Sequence, residues 1–382
     1  MAVPGYPEAL RVLCQDAGGD PHRALVAACA PVPAWDPVIY LADFGRQVLI
    51  PLDSRAAEEE VTGTTAGRAF ATGQPVSAER DGSVRLWVPL VEQTTPTGVL
   101  AVTVRQADPD VVAQAELLGV FAGLITAAAG RVSDMPHMRR SDRTMSLPAS
   151  MQWDLLPPPS ARTRNALVAG GLEPAYDIAG DAFDYALNGA DLHFAIIDGV
   201  GHGVGSTLLT GLAVGAYRRS RRDGAPVAGL HAAIDEALTG HYRDLSFATG
   251  IIGRLVTGSG RLEWTCAGHP WPLLLRGRKV VAELSCEPAL PFGLGDGSAP
   301  LGTAELQPGD VVLFYTDGVV EARTPDGQLF GLERFVDLLE REAASGTPAE
   351  EMLRRMLRAV LDHQAAELRD DATLLLVQWH GR

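Results

Sequence analysis

An α+β fold in two parts is what this sequence predicts: a small mixed-sheet domain, then a β-sandwich covered by helices. Three observations predict it. The chain has 382 residues, more than one core usually serves and enough for two. In the C-terminal part several strand patterns follow one another with no helix between them, which disfavours a doubly wound parallel sheet. The helical patterns that do occur there carry a single apolar stripe, as helices lying on a sheet do.

The elements follow in order. Residues 8–13 and 22–30 read as short helices. Residues 38–41, 48–52, 84–90 and 99–104 read as strands, rich in β-branched and aromatic residues and bounded by Gly, Pro or Asp. Residues 67–72 followed by Gly73 read as a helix with a glycine stop. This front part ends near residue 106. Val111, Ala115, Leu118, Ala122 and Ile125 recur at helical spacing, so 108–131 is expected to be an amphipathic helix. Residues 132–150 are polar and broken by Pro136 and Pro148, and Pro157, Pro158 and Pro159 stiffen the next connection. Residues 107–160 are therefore expected to form a helical linker between a domain at 1–106 and one at 161–382. In the last part, 192–197, 247–256, 262–266, 273–276, 311–315 and 373–379 are expected strands. Residues 206–219, 227–242, 332–342 and 349–364 are expected helices.

Composition narrows the function. Hydrophobic residues at 46% and charged residues at 21% describe a globular chain. The net charge is −15, and the first 135 residues hold nine arginines against 16 acidic residues. Neither part is basic, which excludes a nucleic-acid ligand as the expectation. The longest apolar run, 117–129, is shorter than the ~20 residues of a membrane span, so no insertion is expected, and no secretory signal is visible. Cys14, Cys29, Cys266 and Cys286 show no paired spacing, which suits buried thiols in a cytoplasmic protein.

Chemistry enters with acidic residues at strand edges. Asp181 lies in Ala-Gly-Asp-Ala-Phe-Asp. Asp198 and Asp317 each end an apolar strand and precede glycine, Gly199 and Gly318. Asp370 and Asp371 precede the last strand. Taken singly, Asp-Gly after a strand is a turn, with Gly supplying a positive φ. Taken together, strand edges in one sheet system can converge on one cleft. At ~4 Å and an effective dielectric near ~20, each like-charged pair then costs roughly 4 kcal/mol. Such a cluster protonates or binds cations, and oxygen ligands select Mg²⁺ or Mn²⁺ over zinc. Convergence itself is not readable from spacing.

A resemblance supplies it. Gly180-Asp181, Ile197-Asp198-Gly199-Val200-Gly201-His202-Gly203, Ala267-Gly268-His269-Pro270, Gly309-Asp310, Tyr315-Thr316-Asp317-Gly318, Glu321-Ala322, Phe330-Gly331 and Asp370-Asp371-Ala372-Thr373 stand in an order similar to that of the PPM-type (protein phosphatase 2C-like) phosphatases of the SpoIIE-like branch. Gln152 and Leu155-Leu156-Pro157 resemble the segment that opens this domain. The resemblance covers residues 165–379 and implies an αββα four-layer sandwich. It also implies hydrolysis of phosphoserine or phosphothreonine by water activated between two Mn²⁺ or Mg²⁺ ions. It further implies Asp181, Asp198, the Gly199 carbonyl, Asp317 and Asp370 as ligands. Asp371 is either a ligand or a support for Asp370, and Asp184 a structural neighbour. The implied substrate is a phosphoprotein such as a phosphorylated anti-sigma-factor antagonist in a bacterial partner-switching pathway. The alternative is a regulator that binds a phosphoprotein without turnover.

Three further groups have two readings each. His202 either donates a proton to the leaving oxygen or fills a tight glycine loop. His269, between Gly268 and Pro270, reads as a turn residue. Arg218, Arg219, Arg221 and Arg222 either complement a helix C-terminus or form a docking patch. In the front part, Gly67-Arg68-Ala69-Phe70, Gly73-Gln74-Pro75-Val76, Leu86-Trp87-Val88-Pro89-Leu90 and Gly98-Val99-Leu100 resemble a GAF domain, which implies a sensor. The apolar helix at 108–131 also suits a homodimer.

Overall fold

The computed structural model describes residues 34–52, 55–92, 95–140, 144–173, 176, 180–242, 246–295, 297–365 and 370–381. The helices expected over 8–13 and 22–30 lie outside the described residues. The chain divides into two compact units, Met1–Thr144 and Met145–Arg382.

The first unit is an antiparallel sheet of six strands: β1 (Ala34–Ala42), β2 (Val48–Pro51), β3 (Glu59–Glu60), β4 (Val76–Arg80), β5 (Ser83–Glu92) and β6 (Thr95–Val104). Their order is β3-β2-β1-β6-β5-β4. Strand side chains alternate between faces, and here both faces are apolar. Val38, Tyr40, Trp87 and Val99 meet α1 (Thr65–Thr72) through Ala66, Ala69 and Phe70. Ile39, Leu41, Val88 and Leu100 meet α2 (Pro109–Ala129) through Ala115, Leu118 and Ala122. Gly73 ends α1 with φ 64°, the left-handed cap that glycine adopts without strain. Gly119 and Gly123 let α2 lie close on the sheet, since a Cβ at either would stand 2.7 Å from a backbone carbonyl of β5.

Within 107–160, α2 lies on the first unit's sheet, while Leu147–Leu155 belongs to the second unit. The helix expected over 108–131 runs from Pro109 to Ala129, longer than the apolar run at 117–129. Over its 21 residues it is long and apolar enough by composition to cross a membrane, although one of its faces is packed on the sheet. Its opposite face leaves Leu117, Val120 and Leu124 at 53%, 44% and 54% exposure.

The second unit is a sandwich of two antiparallel sheets. One contains β9 (Asp181–Asn188), β10 (Asp191–Gly199), β11 (Ala248–Val256), β12 (Arg261–Ala267) and β15 (Gly302–Glu305), in the order β15-β12-β11-β10-β9. The other contains β7 (Ser160–Arg162), β8 (Ala166–Glu173), β13 (Leu273–Arg276), β14 (Lys279–Glu283), β16 (Val311–Tyr315) and β17 (Ala372–Trp379), in the order β14-β13-β16-β17-β8-β7. Phe194 and Ile196 face Phe314, Leu375 and Val377 across the interior. The alternate residues of those strands face outward. Ala195 and Ile197 lie under α5 (Val204–Arg222) and α6 (Val227–His241). Leu374 and Leu376 lie under α8 (Leu332–Ser345) and α9 (Ala349–His363). Four layers, helix-sheet-sheet-helix, result. Three short helices complete the described elements: α3 (Met135–Arg139), α4 (Leu147–Leu155) and α7 (Asp317–Val320).

Strand β8 was not among the expected strands. Gly170-Gly171 stand in its middle for reasons of space. A Cβ on Gly170 would stand 2.4 Å from the Phe183 ring, and one on Gly171 2.8 Å from Leu357. Neighbours press on both faces of β8, and only glycine leaves room for them.

Candidate active site

Pairing of β9 with β10 sets Asp181 opposite Asp198 at one end of the first sheet. In the second sheet, β16 pairs with β17 so that Tyr315 is opposite Leu374. Asp317 follows β16 as the first residue of α7, and Asp370 and Asp371 precede β17, so these three gather at one sheet end. Hydrogen bonds join the two ends. The Asp181 backbone N–H donates to Asp371 Oδ2 at 3.1 Å, and Thr316 Oγ1 donates to Asp181 Oδ2 at 2.8 Å. The five aspartates thus lie around one basin, with Asp181 and Asp371 on its floor, Asp198 half-buried, and Asp317 and Asp370 at its exposed mouth.

The glycines after Asp198 and Asp317 are not turn glycines, since neither has a positive φ. They are there for close approach. A Cβ on Gly199 would stand 2.5 Å from Thr210 Oγ1, and one on Gly318 2.0 Å from the Asp371 carbonyl oxygen. Gly318 therefore lets α7 fold back against the start of β17, which brings Asp317 beside Asp370.

Burial and mutual repulsion raise the pKa values of four aspartates in this basin. Burial first, then the charges of Asp198 and Asp371, pushes Asp181 well above the usual carboxylate range. Burial, then Asp317 and Asp370, pushes Asp198 up to about 7. Asp371 is pushed up to about 6, mainly by burial. Asp370 reaches solvent at one edge, but the cleft walls and then Asp317 raise it too. Among the described residues none of the five aspartates forms an ion pair.

The set suits a hard cation. It offers only oxygen, and its buried Asp371 Oδ1 and the adjoining Gln152 Oε1 have no hydrogen-bond partner among the described residues. Among the described residues, however, no three His, Cys, Asp or Glu side chains already form a metal-holding group. The carboxylates share a field and hydrogen bonds without standing at ligating distance. The Gly199 carbonyl, at the end of β10, accepts a hydrogen bond from Ser206 Oγ at 2.7 Å. One of its lone pairs stays available.

The other sequence candidates separate from this basin or flank it. Asp184 is buried and ion-paired with Arg218 at 3.0 Å and Arg221 at 3.1 Å. Those two arginines therefore hold α5 to β9 and are not a docking patch. His269 is buried, with Nδ1 2.8 Å from Thr249 Oγ1, and burial pushes it down to about 3, so it is a neutral turn residue. His202 is exposed, near enough to Asp370 to influence its acidity. Sequence reasoning missed the hydroxyls that fix the site. Ser206 holds the Gly199 carbonyl, Thr210 donates to the Gly180 carbonyl, and Thr316 holds Asp181. Only Thr316 had a legible signal, its place directly before Asp317.

A helix-sheet-sheet-helix sandwich with an aspartate basin at the ends of both sheets defines the protein phosphatase 2C class of fold. The SiaA-PP2C domain of Pseudomonas aeruginosa shares it, with a TM-score of 0.51 and 20% identity over 60% of this chain and 93% of that one. Residues 188–380, just over half of the chain, match the family model described as Stage II sporulation protein E (SpoIIE), and the chain belongs to that family. Protein IcfG of Synechocystis sp. is 26% identical over 262 residues, covering 61% of this chain and 39% of its own length. Phosphoserine phosphatase RsbU of Bacillus subtilis is 24% identical over 214 residues, covering 54% of this chain and 61% of its own length. The chain spans less than two thirds of either relative.

Proposed function

We propose that the second unit is a metal-dependent protein phosphatase acting on phosphoserine or phosphothreonine. The observation that carries this reading is the basin itself: five aspartates gathered at one end of the sandwich, without an ion-pair partner among the described residues, with the pKa values of Asp181, Asp198, Asp370 and Asp371 raised. Asp181, Asp198, the Gly199 carbonyl, Asp317 and Asp370 would hold two Mn²⁺ or Mg²⁺ ions, with Asp371 as a ligand or as the support of Asp181. Bound there, such ions lower the pKa of water and neutralise phosphoryl charge. The chain's residues do the positioning. Thr316 orients the Asp181 carboxylate and Ser206 the Gly199 carbonyl. His202, free at the mouth, is the group we assign to protonating the leaving oxygen. A cysteine nucleophile is disfavoured, because burial pushes the Cys266 thiol up to about 11 and leaves little thiolate.

The relative named phosphoserine phosphatase RsbU supports a phosphoserine substrate, and the resemblance to the SpoIIE-like branch implies that its carrier is a phosphorylated anti-sigma-factor antagonist, met in the cytoplasm. The test is phosphate release from a panel of phosphorylated antagonist proteins. Release is expected with Mn²⁺, none in EDTA, and recovery when Mn²⁺ or Mg²⁺ is returned. Undiminished release in chelator would overturn the metal requirement, and no release from any phosphoprotein would favour the binding-only regulator.

In the same reading, residues 1–106 form a GAF-like sensor and 107–160 relay its state. Helix α2 is apolar on the face opposite the sheet, and Leu117, Val120 and Leu124 are spaced as one seam of a helix pair. A helix apolar all round is normally covered, and we take the cover to be α2 of a second copy. Sedimentation should show a full-length dimer that Leu124→Glu converts to monomer. A monomeric wild-type chain, or a dimer indifferent to the charge, rules this out.

A further inference from the structure

Gln152 is 1% exposed, and with Ala149 it forms the buried face of α4. Its Nε2 donates to the Asp181 carbonyl oxygen at 2.6 Å and lies 3.4 Å from Asp371 Oδ2. Both neighbours are acceptors, so the amide nitrogen must face them and the orientation of the carboxamide follows. Asp371 Oδ2 also accepts from the Asp181 N–H at 3.1 Å. A closed triangle results, in which Gln152 and Asp371 grip the Asp181 backbone by its carbonyl and its N–H. The remaining amide oxygen, Oε1, is buried beside the basin without a donor among the described residues.

That arrangement is expensive as packing. A buried acceptor left unsatisfied costs about 1–3 kcal/mol, and a methionine would fill the same space without it. A residue that only plugged the gap under α4 would be better apolar. The amide is explained by what it orients: the backbone of one candidate ligand and the carboxylate of another, which come from β9 of one sheet and the start of β17 of the other.

We propose that Gln152 is a positioning residue, through which α4 holds the Asp181 backbone and the Asp371 carboxylate at the basin so that a divalent cation can recruit both. The proposal rests on the phosphatase reading above, and it assigns to the helix preceding the sandwich a direct part in the basin. Outer-shell partners of this kind alter metal affinity by about 10–100-fold.

The experiment is Mn²⁺ binding to the full chain, followed through the electron-paramagnetic signal of free Mn²⁺, together with thermal melting in EDTA. Gln152→Met should weaken Mn²⁺ binding by about 10–100-fold, while the metal-free protein melts at an unchanged or higher temperature. Gln152→Asn keeps the amide but withdraws it by one methylene. It should also weaken binding, and it decides the matter if the methionine variant does not fold. Wild-type Mn²⁺ affinity in the folded variants, with only the melting temperature lowered, would reduce Gln152 to packing and overturn the proposal. A wild-type chain that binds no Mn²⁺ would overturn the phosphatase reading itself, an outcome separable from the first because it needs no variant.

Discussion

Asp198→Asn should abolish phosphate release and at the same time make the metal-free protein more stable at pH 8. The two effects have one cause. Asp198, next to last in β10, lies between Asp181 on its own sheet and Asp317 and Asp370 at the basin's mouth. Burial and those charges push it up to about 7. At pH 8 it is ionised in the fold against that resistance. Asparagine has nearly the same shape and no charge, so it relieves the repulsion. It also removes one anionic oxygen pair from a site whose work depends on charge. A loss of roughly a thousandfold in turnover, about 4 kcal/mol of barrier, is expected, with a melting temperature in EDTA raised by a few degrees. At pH 5, where Asp198 is protonated in the fold, the melting difference should be much smaller, and it should vanish only near pH 4, where the unfolded carboxylate is protonated as well. Phosphate release on a panel substrate and calorimetry in EDTA check both halves. An active variant removes Asp198 from the machinery. A variant that is inactive and melts lower at pH 8 shows damage to the fold instead of relief of repulsion.

Legibility followed the range of the interactions. Asp198 and Asp317 were legible because each ends an apolar run that is visible within ten residues of sequence. Their meeting was not, since it depends on the register of β9 against β10 and of β16 against β17, which no local pattern fixes. The glycines beside them looked like turn residues, and only the approach of Thr210 and the Asp371 carbonyl shows that space, not φ, selects them. The pairing of Asp184 with Arg218 and Arg221 spans more than thirty positions, so the arginines looked solvent-bound. Gln152 lies 219 positions from Asp371, and its bond to that carboxylate exists only once both sheets have formed. Helix α2 was legible as a helix. That the sheet beneath it is apolar on both faces, which requires α1 and α2 on opposite sides, appeared only with the strand order.

The raised pKa values also predict how stability should vary with pH. Asp198 at about 7 and Asp371 at about 6 lie above the unfolded carboxylate value near ~3.9, and Asp181 and Asp370 are shifted in the same direction. Between pH 4 and 7 the folded chain therefore holds more protons than the unfolded one. The slope of unfolding free energy with pH is then negative. The contribution of this basin is most favourable at the acid end, declines as pH rises through the folded values, and levels off above about pH 7. Three pKa units at Asp198 correspond to about 4 kcal/mol. Because the coupled carboxylates release their protons in steps, about half of that is expected between pH 5 and 7.5, a fall of about 5 °C for a unit of this size. A cation competes with those protons, so its affinity should rise with pH over the same window. Melting curves of the full chain in EDTA and in 1 mM Mn²⁺, taken from pH 5 to 7.5, should diverge as pH increases. The Asp198→Asn chain serves as the control, because it lacks the group pushed furthest among those with a defined midpoint. Its EDTA curve should be flatter than that of the wild type. Parallel wild-type and variant curves in EDTA would show that Asp198 ionises in the fold as it does in the unfolded chain. The aspartates would then share an end of the sandwich without sharing a field.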